Sequence, residues 1–140
     1  MLDDLAPANV NRSYSLAATS IAIFTFSLIF LYPRYVNGEV GPVLFQLTLV
    51  VMAIATFSFV FSSFLYYGAG MKDKISEAER IQLARRGDIA WVLGYSLLFA
   101  VPSLILFTVN LFLVGTVWLA LWLVYVAFVI RNFPRVVAKG

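Results

Sequence analysis

Residues 13–33, 40–71 and 89–130 contain no Asp, Glu, Lys or Arg, so the ten basic and seven acidic side chains are confined to four stretches beside and between them. A helix rises about 1.5 Å per residue and the hydrocarbon layer of a bilayer is about 30 Å thick, so roughly 20 residues make one crossing. The first uncharged stretch holds one crossing and the second holds a long one. The third, at 42 residues, fits two joined by a tight turn. The pattern predicts an all-α polytopic membrane protein: one integral domain over residues 1–140, folded as a four-helix bundle with spans near 13–32, 43–67, 89–108 and 111–130. Composition agrees, because 62% hydrophobic content, 12% charge and a mean hydropathy of +0.93 do not describe a soluble domain.

The turn inside the third stretch is placed at Thr108, Val109 and Asn110, its most polar short run, since an Asn side chain bonds readily to nearby backbone. Pro102 competes as a break, but cutting there leaves a first arm too short to span. Pro102 is therefore expected as a kink within span 3, depriving the Leu98 carbonyl of its usual donor.

With four spans, both termini and the 71–88 stretch share one face, which carries nine of the ten basic residues; Arg34 lies alone on the other. The positive-inside rule then places the termini and the charged loop in the cytoplasm, as expected of a multi-pass protein of the cell (inner) membrane. The opening MLDDLAPANVNR is acidic and runs into a full-length span, unlike a cleavable signal peptide. Without Cys or His there are no disulfides, no thiolate sites and no imidazole ligands, and no cofactor or metal is expected.

Within the spans, small side chains recur at helical spacing. Ser15, Ala18, Ala22 and Thr25 mark one face of span 1, which Pro33 should stop, and Ala55, Ser58 and Ser62 mark a face of span 2. Such faces let helix backbones approach closely in lipid, and they equally offer hydroxyls to a pore wall. Gln46, near the outer end of span 2, needs a polar partner. Ala90 and Gly94 suit close packing in span 3. Tyr32, Tyr35, Trp91 and Tyr95 fit interfacial belts, and Trp118, Trp122 and Tyr125 share one face of span 4 as packing bulk. Arg131, Asn132, Phe133, Pro134 and Arg135 read as a basic stop-transfer tail.

In the 71–88 stretch, Ser76 followed three residues on by Glu79 is a capping-box pattern, and Gly87 suits the position past a helix end. These signals predict a short cytoplasmic interfacial helix over 77–86, with Ala78, Ile81 and Ala84 on one side and Asp88 capping span 3. Arg80, Arg85 and Arg86 become its surface for a partner or for anionic lipid headgroups.

Proton-coupled transporters, pumps and voltage sensors carry ionisable groups inside the bilayer, and no span here does. Phosphate loops, metal motifs and nucleophile elbows are missing as well, so the chain is not expected to be an enzyme. The expectation is a non-catalytic accessory, assembly or regulatory subunit that packs against other membrane proteins or copies of itself. The alternative is a homo-oligomeric channel or facilitator for a small neutral solute, lined by the hydroxyls of spans 1 and 2.

Overall fold

A computed structural model of the chain describes residues 2–71 and 74–137, with side chains over 6–71 and 74–132. Lys72 and Asp73 of the charged stretch, and the tail side chains from Phe133 onward, lie outside the described residues. The described residues form four helices: α1 (Leu2–Val36), α2 (Pro42–Ala69), α3 (Glu77–Thr108) and α4 (Phe112–Val137). Each is long and apolar enough to cross a bilayer, and the chain is a multi-pass helical membrane protein.

Two helices end in the same way. At the end of α1, the Glu39 N–H donates to the Arg34 carbonyl (2.8 Å) and the Gly38 N–H to the Tyr35 carbonyl (3.1 Å). Gly38 sits at φ +73°, as a left-handed terminating residue must. At the end of α3, the Leu111 N–H donates to Leu106 (2.8 Å) and the Asn110 N–H to Phe107 (3.1 Å), with Asn110 at φ +64°. The expected hairpin thus lies where Asn110 can take up the left-handed conformation. Pro33, expected as the stop of span 1, instead lies inside α1, as does Pro7. A proline near a helix end forfeits only one backbone bond, and here the stop comes from Gly38. Pro102 is internal to α3, as expected.

The short helix expected over 77–86 is not separate. Its start is as read, since Ser76 accepts from the Glu79 N–H (3.4 Å) while the Glu79 carboxylate accepts from the Ser76 N–H (3.0 Å) and hydroxyl (2.8 Å). The helix then runs without a break through Gly87 and Asp88 to Thr108. Gly87 is no terminator: a Cβ there would lie 3.2 Å from the Tyr66 ring, so its bare backbone makes room for a neighbouring helix. Asp88 does not cap span 3, because its carboxylate accepts the Tyr66 hydroxyl. At 32 residues α3 is about 48 Å long, so its first turns extend past a hydrocarbon layer of about 30 Å.

The capping box carries a pH prediction. Hydrogen bonds from the Ser76 hydroxyl, then its backbone N–H, hold the Glu79 carboxyl below the usual glutamate range, ten residues before the uncharged part of α3 begins. A lowered carboxyl adds stability above its unfolded pKa, and loses it as pH falls through the folded value. Amide-exchange protection in the first turn of α3 should hold at neutral pH and decline below about pH 4, whereas Glu79→Gln should flatten that profile. Identical profiles in the two proteins would contradict it.

The helices pack in chain order as an open row. α1 lies on α2, α2 on α3 and α3 on α4; α1 barely meets α3, and among the described residues α4 touches neither α1 nor α2. The four-helix bundle expected from sequence is thus assembled as a row, with α1 and α4 at its two edges. The α2–α3 contact is the most extensive, centred where Gly94 meets Ala55 and Phe59, both fully buried. Hydroxyls stitch the first three helices together. Ser62 donates its one hydroxyl proton to the Gly87 carbonyl (2.9 Å), so Ser13 must donate to Ser62 (3.3 Å). By the same reasoning Thr56 donates to Met52 (2.9 Å) and Ser20 to Thr56 (2.7 Å). In lipid these bonds satisfy groups that water cannot reach.

α4 is held by its aromatic face. The Trp118 and Trp122 indoles donate to the Phe99 and Ser96 carbonyls of α3 (2.8 and 2.7 Å), and Tyr125 stacks on Phe99 with centroids 5.5 Å apart. Ser103 donates back to the Gly115 carbonyl (3.0 Å). These bonds flank Pro102, where the helix has a backbone acceptor to spare.

Candidate functional site

Three residues that sequence reading did not bring together meet at the amino-terminal end of the row. Arg12 lies one residue before the uncharged part of α1, Tyr66 in the last turn of α2, and Asp88 one residue before the uncharged part of α3. All three therefore stand at one depth. The Tyr66 phenol, only 4% exposed, donates to Asp88, and Arg12 is close enough for its charge to act on that phenol. The Arg12 guanidinium also sits 4.1 Å from the centroid of the Trp91 ring, which stacks on Tyr95 at 5.0 Å. The Trp91 indole N–H is buried and has no hydrogen-bond partner among the described residues. A cation–π contact made by an exposed cation such as Arg12 contributes about 0.5–1 kcal/mol, no more than the cost of one buried unpaired donor. Trp91 therefore gains little in net terms, and the Tyr66–Asp88 bond is the stronger tie. Beside this cluster an open, mostly apolar cleft of about 430 Å³ lies between Ala6, Pro7 and Val10 of α1 and Tyr67 and Gly70 at the end of α2.

The small-residue set is divided. Ala55, Ser58 and Ser62 are buried inside the chain; Ser58 bonds to its own helix at Ile54 (2.8 Å) and Ser62 reaches α3. Ser15, Ala18, Ala22 and Thr25 all point outward. α1 instead turns Ser13, Ala17, Ser20 and Ser27 to its neighbours, a parallel small-residue face on the other side of the same helix. Gln46 is exposed, with no hydrogen bond among the described residues.

The arginines differ from one another. Arg80, expected at the free surface, donates from Nε to the Ala69 carbonyl (2.8 Å) and so closes the end of α2 against the start of α3. Arg85 and Arg86 are exposed. At the opposite end, Arg34 and Glu39 approach to 4.0 Å while more than half exposed, a pair worth little. The described residues include no group of three or more carboxylates able to hold a metal.

No protein-family model matches the chain, and comparison with curated proteins and with solved structures finds none similar to it. Any functional reading therefore rests on the residues and their geometry.

Proposed function

We propose that this chain is a non-catalytic membrane subunit that binds another integral membrane protein, or a second copy of itself, through the outer face of α1. The observation that carries the reading is the outward stripe of Ser15, Ala18, Ala22 and Thr25, which the chain leaves unused although it packs the opposite small face of the same helix. Lipid tails gain nothing from such a stripe, whereas a second helix can approach closely along it. α4, which among the described residues rests on α3 alone, leaves a further long apolar surface to lipid or partner. The buried hydroxyls of α1 and α2 are bonded to each other and to backbone, which speaks against their lining a pore within one chain. In this reading both termini and the 71–88 segment face the cytoplasm, following the basic residues.

The test compares two faces of one helix. Ala18→Leu with Ala22→Leu should release the partner from a mildly extracted, tagged complex while thermal unfolding of the chain itself moves by no more than about 0.5 kcal/mol. Ala17→Leu, on the face turned to α2, should destabilise the chain instead. A complex left intact by the Ala18/Ala22 change would sink the proposal. A closed ring of this chain alone, conducting a neutral solute, would favour the channel.

A further inference from the structure

We propose that Arg85 and Arg86 form a docking surface for the phosphates of anionic phospholipids in the leaflet at the amino-terminal end of the row. Depth is the first argument. Because α3 is continuous from Glu77 to Thr108, Arg86 and Arg85 stand three and four residues, or about 4.5 and 6 Å, before Ile89, where the uncharged part begins. The headgroup layer on each side of a bilayer is about 5–7 Å thick, so both guanidinium groups lie within it. Packing of Gly87 against the Tyr66 ring fixes that height from the very next residue.

Charge is the second argument. Both arginines are exposed, and neither has an ion-pair partner among the described residues. The one acid within a helical turn of them is Asp88, and its carboxylate is committed to Tyr66 on α2. Glu79 is committed to Ser76. Asp88 keeps its charge in that bond, but among the described residues at this depth Arg12, Arg85 and Arg86 outweigh it by two positive charges at phosphate level. A planar guanidinium binds phosphate oxygens in pairs, so the complementary occupant is an anionic lipid. Below the arginines, Ile89 and Leu93 are each 50% exposed and would meet the acyl chains of the lipid so held.

The experiment uses the full chain in phosphatidylcholine vesicles and measures association of spin-labelled phosphatidylglycerol against spin-labelled phosphatidylcholine. The anionic lipid should be preferred roughly thirtyfold at low salt, since two basic residues at a membrane surface contribute on the order of 1 kcal/mol each. Raising the salt from about 0.05 M to about 0.5 M should shrink that preference severalfold. Arg85→Gln with Arg86→Gln should remove most of it and leave phosphatidylcholine association unchanged; Arg85→Lys with Arg86→Lys should retain a large part. Should the glutamine variant fail to fold, the salt response and the lysine variant still decide. Equal association of the two lipids with the wild type overturns the proposal, as does a full preference surviving in the glutamine variant. If the wild type shows no lipid preference but the glutamine variant loses the tagged complex, the surface belongs to a protein partner, and the lipid assignment is wrong.

Discussion

Gly94→Leu should lower the thermal unfolding midpoint of the purified chain by roughly 10 °C or more, a larger effect than any other single glycine substitution in the chain. A Cβ on Gly94 would lie 3.0 Å from the Phe59 ring and 3.1 Å from the Ala55 carbonyl oxygen. A ring can turn aside, but a carbonyl within a helix backbone cannot, so the two helices must separate at their widest contact. Overpacking of this kind costs about 1–3 kcal/mol for a methyl group and more for a larger side chain. Gly115→Ala provides the contrast. There a Cβ would meet Phe107 ring atoms at 2.9 Å, a closer approach on paper, yet the obstacle is the end of a side chain at the edge of the row. Intrinsic tryptophan fluorescence on heating, read on Gly94→Ala, Gly94→Leu and Gly115→Ala, ranks the three. A Gly115→Ala loss equal to that of Gly94→Ala would show that the α2–α3 contact yields more easily than its geometry implies.

The second large effect concerns the tie between Tyr66 and Asp88. Tyr66→Phe removes the phenol proton and leaves a partly buried carboxylate short of a donor, at a cost of about 1.5–3 kcal/mol, as is usual for a hydrogen bond to a charged group. Asp88→Ala should cost a similar amount, and the double variant little more than either alone. The resulting coupling of about 1–2 kcal/mol would be well outside the error of additive, independent sites. Arg12→Gln, which removes the cation over Trp91 and its charge near the Tyr66 phenol but leaves the Tyr66–Asp88 bond in place, should cost less than about 1 kcal/mol. Strictly additive Tyr66 and Asp88 losses would mean that the bond contributes nothing of its own.

What the sequence made legible was local. The four crossings follow from runs without charge, the Ser76–Glu79 box from two side chains three apart, and the Asn110 turn from one residue able to adopt a positive φ. The indole and phenol face of α4 could be read from its spacing, and the structure turns it onto α3. The misread points were decided by neighbours. Gly87 signals a helix end to its own strand of sequence, yet Tyr66 requires a bare backbone there and the helix continues. α1 carries small residues on two faces, and periodicity alone cannot say which of them meets α2. The Arg12, Tyr66 and Asp88 meeting left only a partial trace: Arg12 and Asp88 each stand one residue before an uncharged run, whereas Tyr66 lies five residues inside the end of another.

The connection between α3 and α4 also bears on how the protein is made. Three residues, Val109 to Leu111, separate the helices, and the chain there is already curled back by Asn110. Once α3 has threaded through the insertion machinery, no slack remains in which α4 could fold on the far side and wait. So short a connection leads us to expect that the two enter the bilayer together, as one hairpin. Until that moment, the Ser96 and Phe99 carbonyls lack the indoles that will later cover them. Ribosome pausing or a lengthened linker at this point should therefore be felt during synthesis, before the finished molecule shows any change.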